Sequence, residues 1–214
     1  MPFAIKPRQT LLFIGDSITD CGRRNAERPL GSGYVRMVSD LIDARYPNHR
    51  VRVLNSGIGG NTVRDLANRW TDDCVRYKPH WLSVKIGIND IHTWLRQSPD
   101  RTVSPEDFAQ LYDHILDRAT KQTKARLVLV DPFYISEETD PASFRHEVLA
   151  HLPKYLKTVA SMARKYKTRR VKLHDMFQKQ LQFHSPDHFA PEPVHPHPTG
   201  HLHMALEWLK AVGW

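Results

Sequence analysis

The 214 residues are 40% hydrophobic and 25% charged, which excludes a disordered chain and suits one domain, 1–214, with a substantial core. No apolar run approaches the ~20 residues of a membrane helix, and the opening MPFAIKPRQT lacks the apolar core of a secretory leader, so no membrane partner and a cytoplasmic location are expected. The formal net charge of +8 is scattered apart from short clusters such as KTRR (167–170), a pattern of solvated faces that argues against a nucleic-acid partner, while the charge itself favours a polyanionic or acid-decorated substrate.

In chain order, LLFIGD (11–16) is a short apolar run that predicts a buried strand. Residues 34–46 set Tyr34, Val38, Leu41 and Ile42 on one helical face, and VRVLNSG (51–57) alternates with the period of a strand. A helix over 62–76 opens at Thr62, and WLSVKIG (81–87) predicts a third strand. Ser104 and Pro105 head a helix over 105–120 that turns Phe108, Leu111, Ile115 and Ala119 inward. RLVLVD (126–131) is apolar throughout, as a central parallel strand should be. A helix over 143–166 carries Pro153, which is expected to kink or split it. RRVKLHD (169–175) predicts a fifth strand, and 199–212 a last helix. Five strands alternating with helices predict an α/β fold with a parallel sheet covered on both faces.

The links are unequal. Those from helix to strand are short, whereas 20–33, 88–104, 132–142 and 175–198 are long and all leave the C-terminal ends of strands. Long links tend to be functional, and open α/β sheets bind ligands at that edge.

The edge carries chemistry. Ser17 follows the first strand, and an attacking serine needs a base that is itself oriented. In APEPVHPHPTGH (190–201), His195 stands three residues after Glu192, a spacing that lets the loop fold the carboxylate back onto the imidazole. Acyl transfer also needs donors for an oxyanion. The glycines of NSGIGGNT (55–62) offer backbone N–H groups, and Asn89 of GIND (87–90) offers an amide.

GDSITD, GGNT, GIND and VHP…GH resemble, in order, the four sequence blocks of the SGNH, or GDSL, hydrolases, across residues 11 to about 203. LLFIGDSITDCGR, GNTVRDLANRW and IGIND look most like the intracellular acetylxylan-esterase branch. The resemblance implies a flavodoxin-like three-layer α/β/α sandwich and a serine triad without cofactor or metal. It makes Ser17 the nucleophile and its N–H one oxyanion donor, Gly60 the second, Asn89 the third, and His195 the base. The family pattern Asp-x-x-His reads Glu192-Pro193-Val194-His195 here, so Glu192 is the candidate acid and Asp187 the alternative.

The expected reaction is deacetylation of carbohydrate esters, xylo-oligosaccharides foremost. The rivals are a lipolytic esterase, lysophospholipase or thioesterase of the same family, and a catalytically silent carbohydrate-binding protein. Asp16, Trp94, Phe133 and Tyr134 are candidate substrate contacts, with an oligomer contact as the other use of the aromatics and a homo-oligomer left open. Asp90 reads as a turn former, Asn61 and Thr62 as caps, and His201 as structural. Pro198 between His197 and His201 argues against a helical metal pair, and Cys21 and Cys74 read as free thiols.

Overall fold

The computed structural model describes residues 2–214. Five parallel strands form one sheet in the order β2-β1-β3-β4-β5: β1 Thr10–Gly15, β2 Arg52–Gly57, β3 Trp81–Lys85, β4 Arg126–Val130 and β5 Arg169–Val171. Eight α-helices accompany them among the described residues: α1 Ser17–Asp20, α2 Tyr34–Arg45, α3 Val63–Asp73, α4 Ile88–Leu95, α5 Pro105–Thr123, α6 Phe144–Lys165, α7 Leu173–Leu181 and α8 Pro198–Ala211. α2 packs on α8, with α7 beside it, while α3, α5, α6 and α4 pack together as a separate layer. The result is the α/β/α sandwich that the strand–helix alternation predicts.

The strands are apolar because both sheet faces are covered. Leu12, Phe13 and Ile14 of β1 and Val128 and Leu129 of β4 are wholly buried. Trp208 of α8 lies 4.9 Å from the Phe13 ring, and its Nε1–H donates to Ser83 Oγ at 3.0 Å, which satisfies the one polar group the indole takes into the core. Helix starts follow local chemistry. Thr62 and Asp65 form a reciprocal capping box at α3, and Ser104 Oγ accepts from Asp107 N–H ahead of Pro105 at α5.

Three expectations change. The fifth strand ends at Val171, and 173–181 is helix rather than strand and loop. The spacing of Leu173, Met176, Phe177 and Leu181 buries one helical face. The stretch 88–104 likewise contains α4, whose Ile88 and Ile91 point into the core. Pro153 sits within the unbroken α6. Its ring is on the exposed side, where the carbonyl that loses its partner can turn to water.

β1 connects outward to β2, and β2 returns across it to β3, so the chain direction across the sheet switches between β1 and β3. Clefts of open α/β sheets form at such a point, beyond the carboxyl ends of the strands. Ser17 leaves β1 there and Asn89 leaves β3.

Candidate active site

β1 ends at Gly15 because no side chain fits: a Cβ there would collide with the Lys85 carbonyl and the Thr19 hydroxyl. The chain then turns directly into α1. Asp16 caps this helix, its Oδ1 accepting from Ile18 N–H at 3.1 Å. Asp16 is also fully buried and ion-paired with the equally buried Lys85 of β3, with Nζ 3.1 Å from Oδ2. Burial lowers the pKa of Lys85, while the charge of Asp16, a hydrogen bond to it and the charge of Asp90 oppose that shift. Asp16 therefore anchors the turn that presents Ser17; it does not reach a substrate.

Ser17 heads α1, so its own N–H has no carbonyl behind it within the helix. Its Oγ lies 2.8 Å from Nε2 of His195. His195 Nδ1 lies 2.5 Å from Oε1 of Glu192. A carboxylate only accepts, so Nδ1 carries the proton in this pair and Nε2 is left to accept from the serine hydroxyl. Glu192 is fixed by its own loop: Oε1 also accepts from His195 N–H at 2.8 Å, and Oε2 from Val194 N–H at 2.9 Å. Asp187 sits on a short 3-10 turn, Pro186–His188, and among the described residues makes no hydrogen bond to His195.

The loop after β2 closes the other side. Gly60 has φ +78°, a left-handed conformation that suits glycine. Its carbonyl accepts from Arg101 Nη2 at 2.7 Å, which fixes that end of the residue. Gly59 lies against Ser17, where a Cβ would stand 3.8 Å from Ser17 Cβ, and its N–H donates to Asp20 Oδ2 at 3.2 Å. Asn89 Nδ2 donates to the Asn61 carbonyl at 3.0 Å. An amide NH₂ has two hydrogens, so one remains for a ligand.

Arg69 of α3 ties these pieces together. It donates to the Gly15 carbonyl, the Ser56 carbonyl, Asn61 Oδ1 and Asp73 Oδ2 at 3.1, 2.8, 2.8 and 2.7 Å. Thr62 is the α3 cap as expected, whereas Asn61 serves Arg69 and Asn89 instead. Asp90 is not a turn former. It is fully buried and its Oδ1 accepts from Val63 N–H, at the start of α3, at 2.9 Å. Burial pushes its pKa up to about 7, with Val63 N–H opposing and the charges of Asp16 and Asp65 adding.

The aromatic candidates separate. Phe133 is wholly buried, 4.8 Å from the Phe177 ring and 5.0 Å beneath Lys85 Nζ, so it is core and no platform for a sugar. Trp94 turns to α6, edge-on to His151 with Lys154 over its face. Tyr134 alone stays by the site, edge-on to His92 at 5.9 Å, and the charge of Glu192 adds to the burial that raises its pKa. Next to Gly60 and Asn89 opens a polar cavity of about 180 Å³ walled by His92, Thr93, Arg96 and Arg101. His201 is buried and structural: Nδ1 accepts from Tyr34 N–H at 3.2 Å, and Nε2 lies 3.5 Å from Cys21 Sγ. Both cysteines are free.

Lys85, Arg69, His92, Arg96 and Arg101 were not singled out by motif. A signal existed for Lys85 alone, as a lysine in the middle of an otherwise apolar strand, WLSVKIG.

The fold and the site define a serine-hydrolase class. The chain matches the GDSL-like lipase/acylhydrolase family over residues 13–202 and belongs to it. It is 36% identical over 215 aligned residues to an acetylxylan esterase of Geobacillus stearothermophilus, covering 96% of this chain and 94% of that one. The crystal structure of this esterase, Axe2, superposes with a TM-score of 0.89 at 35% identity, over 99% of this chain and 97% of that chain. LAE5, an α/β-hydrolase enzyme from the metagenome of Lake Arreo, Spain, also gives 0.89, at 32% identity over 99% and 98%. The chain is a carboxylic-ester hydrolase with an esterase of carbohydrates as its relative.

Proposed function

We propose that the chain removes acetyl groups from carbohydrate esters, with acetylated xylo-oligosaccharides as the substrate class, through an acyl-enzyme on Ser17. One observation carries the reading: the unbroken hydrogen-bond chain from Ser17 Oγ through His195 to Glu192. Solved structures of Axe2 include catalytic mutants in which a serine, an aspartate or a histidine is replaced by alanine. Ser17 and His195 supply two of those residue types, and Glu192 supplies a carboxylate where the third is aspartate.

Ser17 Oγ attacks the acetyl carbonyl carbon as its proton passes to His195 Nε2, and Glu192 stabilises the imidazolium. The carbonyl oxygen becomes an oxyanion that accepts from Ser17 N–H, Gly60 N–H and the free hydrogen of the Asn89 amide; one such donor is worth roughly 10² to 10³ in kcat. The bond from carbon to the sugar oxygen then breaks, and His195 gives its proton to that oxygen. Water next loses a proton to Nε2, adds to the acetyl carbon and releases acetate, with the proton returned to Ser17. The polar cavity beside the donors suits a sugar and a short acyl group better than an alkyl chain. Fluorophosphonate labelling of Ser17, with an ester panel from acetyl to octanoyl, tests the reading. Labelling at Ser17 and a falling kcat/KM with chain length are expected; no labelling would leave the binding-protein rival, and a rise with chain length the lipolytic one.

A further inference from the structure

The polar cavity next to Gly60 and Asn89 contains more positive charge than a neutral sugar requires. Arg96 closes the C-terminus of α4 with its guanidinium 4.7 Å above the Phe144 ring. Among the described residues its side chain forms no ion pair and no hydrogen bond. Arg101, from the following loop, spends one N–H on the Gly60 carbonyl; the nearest carboxylate, Asp65, is 3.9 Å away and is shared with the α3 cap. A guanidinium has five donors, so several remain. His92 lines the same cavity, and its Nε2 is buried with no partner. Burial first, and then the charge of Arg96, lowers the His92 pKa to about 4, so the ring is neutral at pH 7 and offers one N–H donor. Glu192 is the other carboxylate nearby, and three N–H groups already occupy it.

Two incompletely used guanidinium groups on one small polar cavity form a receptor for a carboxylate. We propose that this cavity binds a carboxylate borne by the sugar part of the substrate, so that the preferred ester is an acetylated acidic carbohydrate. The inference rests on the acetyl-esterase reading above: an acetyl group is too short to bear the anion, which leaves the sugar. Arg96 receives the carboxylate; Arg101 both receives it and holds the Gly60 peptide, so the anion sits beside the oxyanion donors without replacing any of them.

The test uses two monoacetates of one methyl uronoside, the free acid and its methyl ester, which is neutral and of nearly the same shape. Wild type should show a KM about tenfold lower for the free acid, the scale of one charge-assisted hydrogen bond. The preference should shrink as salt rises, since the pair is partly exposed. Arg96→Gln should bring the two KM values together, and Arg96→Glu should make the neutral ester the better substrate. Equal KM values in wild type, or a preference that survives in both variants, would overturn the inference. So would a preference for a hemisuccinate ester over an acetate of the same neutral sugar, which would move the anion to the acyl side. Acetylated xylobiose separates the two levels: its turnover with no acid preference removes the inference alone, whereas no turnover of any ester removes the esterase reading too.

Discussion

Ser17 and His195 are placed by opposite means. Ser17 stands on a buried frame: Asp16 and Lys85 are wholly enclosed, and Arg69 binds the carbonyls that end β1 and β2. His195 stands on a loop at the surface, where its side chain is 57% exposed and that of Glu192 is 42% exposed, and the pair is fixed by N–H groups from within three residues. The first arrangement depends on the whole sheet and the second on one turn. Damage to the frame should therefore cost stability along with activity, and damage to the loop should cost activity with the fold intact.

The largest effect is expected where both regions meet. Ser17→Ala should lower kcat for an acetyl ester by at least about 10⁴, the order found when a triad member is removed. Its melting temperature should stay close to wild type, because the hydroxyl is small and its partner sits on an exposed loop. Retained turnover in a folded variant would remove Ser17 from the mechanism.

Lys85→Met probes the frame. It leaves the Asp16 carboxylate buried without its cation, and a broken buried pair costs about 3–5 kcal/mol. Urea unfolding should show that loss, and Lys85→Met combined with Asp16→Asn should recover part of it by removing the stranded charge. A single variant as stable as wild type would mean that Asp16 takes up a proton without penalty.

Asp90 gives the frame a pH signature. Its pKa is raised to about 7 from an ordinary 3.8, chiefly by burial, with Asp16, Asp65, Lys85 and the Val63 N–H around it. Between those values the folded chain holds a proton that the unfolded chain has released, so this group's contribution to stability falls as pH rises from about 4 to 7. The slope is at most about 1.4 kcal/mol per pH unit. Asp90→Asn removes that decline, so the variant should gain on wild type across this window and no further above it. His92 and His201, both lowered to about 4, act in the opposite direction but are common to both proteins and cancel in the difference. A flat difference in urea midpoints from pH 4.5 to 7.5 would show that Asp90 is ionised throughout.

The two regions also differ in how far they could be read from the chain. The strand ends were legible because GDS, GGNT and GIND put glycine, serine and asparagine where apolar runs stop, and these residues have few other reasons to cluster there. The contact between His195 and Glu192 was legible from local spacing alone, since Glu192 reaches His195 within one turn. The frame was not. Arg69 shares an amphipathic helix with Arg64, and nothing local shows which of the two meets Gly15. The orientations of Phe133 and Trp94 were hidden for the related reason that a position in a strand-end loop does not reveal which way a ring turns; packing against Phe177 and His151 decides it. The helices over 88–95 and 173–181 were hidden in long links because each is short and is made helical mainly by the face it buries.

The smallest effects belong to the loop, where the chain has glutamate. Glu192→Gln retains the shape but removes the charge opposite the imidazolium, and its amide can turn a donor toward His195 Nδ1. A loss in kcat of about 10 to 10³ is expected, below the roughly 10⁴ of a buried aspartate because this pair is half exposed to water. Glu192→Asp asks whether the loop is built for the longer side chain. One carboxylate accepts from Val194 N–H, His195 N–H and His195 Nδ1 together. An aspartate is shorter by one methylene of about 1.5 Å, so in a loop set for glutamate its carboxylate stands farther from the ring. It should keep the two backbone bonds, which lie closer along the chain, and lose contact with Nδ1, so kcat should fall about tenfold with KM little changed. Circular dichroism should be that of wild type in both variants, since Glu192 supports only its own loop. If Glu192→Asp is instead faster than wild type, the loop has not adapted to glutamate, and the longer side chain is a tolerated misfit that the three N–H bonds happen to hold in place.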